Sequence, residues 1–523
     1  MFDILIKNGT VIDGSGEAMR EFDIGIKGDK IVEIGELHNE QGEIEIDAKE
    51  KIVCPGFIDV NNHSDTYWQI FLEPDLDSLI HQGITTIIGG NCGSSLAPLA
   101  SSKNIESIQK WVDLSKVNVN WLSTKEFFDF LEKKGMTLNF GTLSGHGTMR
   151  RGILEDEMRS PNPRELSFIK KKLAVSLEEG SLGMSTGLIY THARMATVSE
   201  LTELAEIVRK YGGVYATHIR GEAEELSESI EEAIAVAEKS KVKLHISHLK
   251  AVGAKNWPKM EEALATIERM SQNGMEISFD IYPYTSTGSV LYTFLPPWVA
   301  EGGRKMMLNR LVDPVIRAKV ITEMRESVFE YEKIEIASSS LDKSLNRRNV
   351  SEIAVSQNKT VEDAVLDILI ASNGRVITSA ELLSEGNIRK ALQSPLSMIA
   401  TNGAGYSVAH NDTGEMVHPR SFGTTMKIFS QYVMSEEVLT WEEAVRKMTA
   451  SPAEKFGIKN RGKIAEGYFA DVVVLDRDKI SADATNDNPY QYARGVEQLL
   501  INGKIILRDG KAEGGRYGRI IKR

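Results

Sequence analysis

Three side chains with metal-binding chemistry fall where apolar strands run out. Cys92 follows Thr85-Thr86-Ile87-Ile88-Gly89, His218 ends Val214-Tyr215-Ala216-Thr217, and His248 ends Lys243-Leu244-His245-Ile246-Ser247. One thiolate and two imidazoles suit a tetrahedral Zn²⁺ with its fourth position open. Taken singly, each has a plainer reading: a buried Cys is a small apolar residue, and a His is a hydrogen-bonded core residue. Three at the ends of repeated strands favour the metal. Alternation places Val242, Leu244, Ile246 and His248 on one strand face and Lys243, His245 and Ser247 on the other. His248 is therefore the expected ligand, and His245 the structural one. A further polar cluster, Asp59, Asn61, Asn62, His63, Ser64 and Asp65, follows the apolar run through Ile52, Val53, Phe57 and Ile58.

The elements that must carry these residues alternate. Strands are expected at 53–60, 85–89, 138–143, 182–186, 214–217, 243–247, 276–280, 375–379 and 398–401. Helices between them show apolar residues at helical spacing, such as Leu201, Leu204, Ala205 and Val208 in 199–211. Leu226, Ile230, Ala233, Ile234 and Ala237 do the same in 222–239. Repeated βα units imply a parallel sheet closed into a (β/α)₈ TIM-like barrel, with the site at the C-terminal strand ends. Nine strands is one too many, and 375–379 is the one expected outside the barrel. Both chain ends read as short strands with Asn8-Gly9, Gly14-Ser15-Gly16 and Asn502-Gly503 turns. The expected organisation is a small β-sandwich domain from 1–55 plus 455–523, a catalytic barrel over 56–454, and an inserted subdomain or lid at 286–350. That insert is too long for an ordinary loop, and its Leu295-Pro296-Pro297-Trp298 corner is expected to close over a ligand.

Composition narrows the partners. A formal net charge of −12 with no Lys/Arg-rich block disfavours nucleic acid and anionic membranes. No apolar run has bilayer-spanning length. The start, Met1-Phe2-Asp3-Ile4-Leu5-Ile6-Lys7, reads as a strand rather than a signal peptide. With only Cys54 and Cys92 in the chain, a disulfide framework is excluded and a cytoplasmic location is expected.

Specific motifs add a resemblance. Gly56-Phe57-Ile58-Asp59 leading to His63 resembles the first-strand metal motif of the amidohydrolase superfamily. Asn91-Cys92-Gly93-Ser94-Ser95, Ser144-Gly145-His146-Gly147, Thr217-His218-Ile219-Arg220, Ser247-His248-Leu249-Lys250, Tyr282-Pro283-Tyr284 and His418-Pro419-Arg420-Ser421-Phe422-Gly423 resemble the D-aminoacylase (N-acyl-D-amino-acid deacylase) family over the whole chain. The resemblance implies a metallo-hydrolase barrel that hydrolyses N-acyl-D-amino acids. It implies a tight zinc on Cys92, His218 and His248, and a weaker second metal site drawing on positions 61 and 63. It also implies binding of a small-molecule substrate's carboxylate by Lys250, Tyr282 and Arg420. The planar Arg fork suits that task. His146 and Arg220 are the candidates to orient the acyl side.

Two positions depart from the family pattern. Asn61 stands where the first-strand His is expected, and Asn402 where the eighth strand supplies a general-base Asp. An amide does not titrate and cannot carry the proton. One tight zinc is therefore expected, with the second site weak or absent and hydrolysis impaired. Asp59, Asp65, Glu222 and His63 are the groups that could substitute as base. The rival readings are a catalytically silent ligand-binding scaffold on the same fold and an amidohydrolase acting on a cyclic amide. The carboxylate clamp argues against the latter.

Overall fold

The structure is a computed structural model and describes residues 1–523 other than 102–104, 106–116, 156, 328, 340 and 341. Eight parallel strands form the barrel: Phe57–Asp59, Ile84–Gly89, Asn139–Thr142 continued by Ser144–Gly145, Gly183–Gly187, Val214–His218, Lys243–Ile246, Ile277–Ile281 and Ser397–Ile399. Each pairs with the next in order. The eighth meets the first through side chains and loop backbone. The Asp59 carboxylate accepts Thr401 N–H at 3.0 Å and the Thr401 hydroxyl at 2.5 Å, and His63 N–H donates to Gly403 O at 2.7 Å. The barrel interior is filled by Ile58, Val60, Ile88, Leu143, Leu182, Val214 and Met398, with Ile521 reaching in from the C-terminal tail.

The outer helices start where the sequence provides caps. Ser123 and Asn162 each form a capping box with the Glu three residues on, opening Thr124–Lys134 and Pro163–Glu178. Val198–Lys210 buries Leu201, Leu204, Ala205 and Val208, as the spacing predicts. The next helix differs from expectation. It runs Leu226–Ser240 rather than from 222, so Glu222 lies in the loop after the fifth strand.

The expected strand 53–60 is two strands. Ile52–Pro55 joins a seven-stranded sheet built from both chain ends, and Phe57–Asp59 enters the barrel. Pro55 and Gly56 make the break; a side chain at Gly56 would meet the Thr85 side chain at 2.2 Å. A four-stranded sheet of Lys30–Gly35, Asp23–Lys27, Phe2–Lys7 and Gly42–Asp47 packs on the seven-stranded one. Ile4, Ile6, Ile24 and Ile26 meet Val472, Val474 and Leu500 to make a β-sandwich.

Strand Val376–Glu381 pairs antiparallel between Ser286–Val290 and Ile334–Ser339, away from the barrel sheet. Helices Gly303–Val312, Pro314–Glu326, Val350–Ser356 and Val361–Ala371 cover this three-stranded sheet. A separate core of Leu311, Val320, Ile336, Val350, Val365 and Leu369 holds the unit together. It reaches well past residue 350, because its central strand arrives last in the chain. Among the described residues no helix is long and apolar enough to cross a membrane.

Candidate metal and substrate site

Cys92, His218 and His248 converge at the C-terminal mouth of the barrel, all buried, with their ligand atoms within 4.8 Å of one another. Cys92 Sγ lies 3.4 Å from His248 Nε2. The two imidazoles stand nearly perpendicular, at 87°, with centroids 4.3 Å apart. Strain helps to aim them. Cys92, His248 and Asn402 have φ of 51°, 39° and 46°, in the left-handed region that side chains other than Gly occupy at a cost. Three such residues at three strand ends turn side chains inward that regular strand geometry would direct elsewhere.

The donor set fits zinc. Burial holds His218 well below the usual imidazole range, and burial followed by the Lys250 charge lowers His248. Both rings are thereby kept neutral, the form that binds metal. Among the described residues neither nitrogen of His218 has a hydrogen-bond partner despite burial, and a buried polar group without one is costly. A cation bound among Sγ and the two rings would satisfy one of the two His218 nitrogens.

His63 sits at the edge of this set. Its Nε2 is 3.9 Å from Cys92 Sγ and 2.9 Å from Asn402 Oδ1, and its ring stacks on Tyr67. Asn61 turns away from His63 and donates Nδ2–H to Asp280 at 3.2 Å. Asp280 also accepts from His245 Nε2 at 3.0 Å, so His245 has the structural place its strand face predicts. Of the substitute bases, Asp59 and Asp65 are committed elsewhere. Asp59 closes the barrel, and Asp65 Oδ2 accepts Gly90 N–H at 2.7 Å. Burial alone would raise the Glu222 carboxyl, but Lys250 and the two imidazoles outweigh it and hold Glu222 well below the usual carboxylate range.

Arg420 opens helix Arg420–Lys427 and is 5% exposed, yet its Nε and Nη1 have no hydrogen-bond partner among the described residues. Its guanidinium lies 4.8 Å from the centre of the Tyr282 ring, whose hydroxyl is also without a partner. Arg420 and Asn402 line a cavity of about 670 Å³ whose far wall is Ser289, Val290, Thr378 and Ser379 of the inserted unit. Lys250 and Tyr282 border a small void behind His248 instead, with Lys250 Nζ 2.5 Å from Glu222 Oε1 and 2.7 Å from His248 Nδ1.

Two expected contacts lie apart from this group. His146 is fully buried and pairs through Nε2 with Glu200 Oε1 at 2.9 Å, beside Arg150. Arg220 is held by both oxygens of Glu232 and by the carbonyls of Arg194 and Ala196. Both serve the packing of helices against the barrel. The Leu295–Trp298 corner also faces inward to its own unit: Trp298 Nε1 donates to Glu323 Oε2 at 2.6 Å, under Lys319. The cavity wall comes from the insert's sheet. One feature of the mouth carried no motif: His410 bridges Glu73 Oε1 at 2.5 Å and Glu415 Oε2 at 3.6 Å. Its partners lie 337 and 5 residues away, so only tertiary structure assembles it.

A barrel with a thiol–imidazole donor set at its mouth and a two-sheet sandwich from its termini is an amidohydrolase-type fold. The sequence model of the amidohydrolase family matches residues 400–507. Over 522 residues, 100% of this chain, it is 30% identical to an N-acyl-D-glutamate deacylase and 28% identical to a D-aminoacylase, both of Alcaligenes xylosoxydans xylosoxydans. The matches cover 96% and 98% of those relatives. The crystal structure of N-acyl-D-glutamate deacylase from Bordetella bronchiseptica, complexed with zinc and a phosphonate mimic of the tetrahedral intermediate, is similar at a TM-score of 0.84 and 27% identity. The match covers 100% of both chains. The chain belongs to the D-aminoacylase (N-acyl-D-amino-acid deacylase) family of amidohydrolases.

Proposed function

We propose that this protein is a zinc-dependent amidohydrolase for N-acyl-D-amino acids, in which Asn402 leaves binding intact and slows hydrolysis. The observation that supports this best is the pairing of a buried Cys92–His218–His248 set with an Arg420 guanidinium that is buried without a partner. The donors stand together at the barrel mouth, and the cavity lined by Arg420 and Asn402 offers a fork for a carboxylate. A linear acyl-amino acid has both matching ends, an amide and a free carboxylate; a cyclic amide lacks the second.

Cys92, His218 and His248 would hold the zinc, which when bound supplies Lewis-acid activation of water and of the acyl carbonyl. Arg420 and the Tyr282 hydroxyl take the substrate carboxylate and fix the amide's approach, so that orientation is settled before reaction. The sheet of the inserted unit walls the far side of the cavity. Asn402 holds His63 through Oδ1 but takes no proton from water and returns none to the leaving nitrogen.

Elemental analysis of the purified protein is expected to give about one zinc per chain, since three good donors stand at one centre and Asn61 is turned to Asp280. Titration with N-acetyl-D-amino acids is expected to show binding with very slow release of free amino acid. Full turnover at ordinary enzymatic rates, or metal content without zinc, would overturn the assignment.

A further inference from the structure

We infer that Glu222 is a positioning residue of the metal site, holding both imidazoles of the proposed zinc set from behind through one carboxylate oxygen. The inference rests on the zinc reading of Cys92, His218 and His248. Glu222 Oε1 lies 3.3 Å from His218 Nε2, 3.3 Å from His248 Nδ1 and 2.5 Å from Lys250 Nζ. The ring atoms it meets are the outer ones. His248 directs Nε2 toward Cys92 Sγ, at 3.4 Å, which leaves Nδ1 facing Glu222. His218 directs Nε2 toward Glu222, which leaves Nδ1 for the centre.

A neutral imidazole carries one ring proton. With the metal on Nε2 of His248 and Nδ1 of His218, the protons sit on Nδ1 of His248 and Nε2 of His218. Glu222 Oε1 lies 3.3 Å from both; its contact with His218 Nε2 falls outside hydrogen-bond geometry and needs the ring to turn as the metal binds. An outer carboxylate in that place fixes the tautomer and ring plane and makes the ligand nitrogens better donors. The metal-free arrangement is different at one contact. Lys250 Nζ donates to His248 Nδ1 at 2.7 Å and to His248 O at 3.0 Å. That contact requires Nδ1 to be an acceptor and the ring proton to sit on Nε2, facing Cys92 Sγ. Metal capture moves the same proton from Nε2 to Nδ1, with no net change on the ring. Lys250 then gives up Nδ1, Glu222 accepts the N–H in its place, and the Lys250 ammonium becomes available to the substrate carboxylate.

Glu222 shares its buried oxygen between Lys250 and the two imidazoles. It precedes the helix Leu226–Ser240 rather than capping it, and its backbone carbonyl accepts Val252 N–H at 2.7 Å, tying the loop after the fifth strand to that after the sixth.

The test is zinc affinity of the metal-stripped full chain, measured by competition with a chromophoric chelator, for wild type, Glu222→Gln, Glu222→Ala and Lys250→Met. The spectrum of the cobalt-loaded forms and the unfolding midpoint of the metal-stripped forms are recorded beside it. Glu222→Ala is expected to weaken zinc roughly 10–100-fold and to alter the cobalt ligand-field bands. Glu222→Gln, which keeps an acceptor but loses the charge, is expected to fall between. Lys250→Met removes a cation and a competitor for Nδ1, so it is expected to bind zinc at least as tightly as wild type. Wild-type zinc affinity in both Glu222 variants, or a Lys250→Met protein as weakened as Glu222→Ala, would overturn the inference. Should Glu222→Ala not fold, the isosteric Glu222→Gln carries the decision. A wild-type chain that takes no zinc would overturn the zinc reading itself, and is told apart by failing before any variant is compared.

Discussion

At the scale of single residues, Asn402 and Arg420 carry opposite expectations. Asn402 nearly matches Asp in shape, sits at φ 46° and already contacts His63. Asn402→Asp should therefore leave the fold unchanged and restore a proton carrier at the eighth strand end. Release of D-amino acid from an N-acetyl-D-amino acid should rise by at least ~10²-fold, the lower range for a positioned general base. Adding Asn61→His should matter less, because position 61 is engaged with Asp280 outside the Cys92–His218–His248 set. Equal rates for both forms would move the proton carrier to another group, His63 first. Arg420→Ala removes a buried guanidinium with two unpartnered nitrogens. Calorimetric affinity for the N-acyl-D-amino acid should fall by about 2–5 kcal/mol, the range for losing one partner of a buried charged contact. Unchanged affinity would place the carboxylate elsewhere.

At the scale of elements, the loop between the eighth strand and helix Arg420–Lys427 is pinned to the loop after the first strand by His410. Burial opposes a charged ring there, but Glu415 and Glu73 outweigh it and push His410 up to about 9. The folded value lies above the ordinary His value near 6.5, so the charged ring stabilises the fold fully below that pH. The contribution fades as pH rises through about 9. Thermal midpoints of wild type and His410→Gln should thus differ most near pH 6 and converge above pH ~9.5, where the ring is neutral in both states. A difference independent of pH would assign His410 a packing role only. This latch and the cavity wall at Ser289, Thr378 and Ser379 come from segments that the alternating pattern leaves between barrel strands. The inserted unit is legible as an interruption near residue 286. Its end is not, because Val376–Glu381 reads locally like any barrel strand and its partners are 91 and 42 positions back at the registers of Ser379–Gly288 and Thr378–Ile336.

At the scale of the whole molecule, the chain end is part of the barrel floor. Phe140 N–H donates to Arg519 O at 2.9 Å and Ile521 N–H to Phe140 O at 2.8 Å, while Ile521 packs with Ile58, Val60 and Met398. Ile521→Ala should therefore destabilise the protein by about 2–5 kcal/mol, the range for a large-to-small change in a core, as read by chemical denaturation. A change near zero would mean that the tail rests on the barrel without supporting it. The two ends of the chain also share one seven-stranded sheet with the entry strand of the barrel, so the sandwich and the barrel are joined through Pro55 and Gly56.

The sequence by itself determined the periodic architecture and the identity of the donor residues. Alternating strands, helix caps at Ser123 and Asn162, and polar side chains at strand ends are local properties, set by neighbours within a few positions. The choice of His248 over His245 needed only strand alternation. Tertiary structure decided what each polar group faces. His146 and Arg220 carry family-like motifs, yet they lie against Glu200 and Glu232 because those partners arrive on later helices. Glu222 reads as the first residue of an amphipathic helix, and only the folded chain sets its carboxylate behind two imidazoles. Such contacts join groups 4 to more than 300 residues apart, and a buried charge is tolerated only where its partner is supplied. That pairing is fixed by three-dimensional packing and leaves no trace in local spacing.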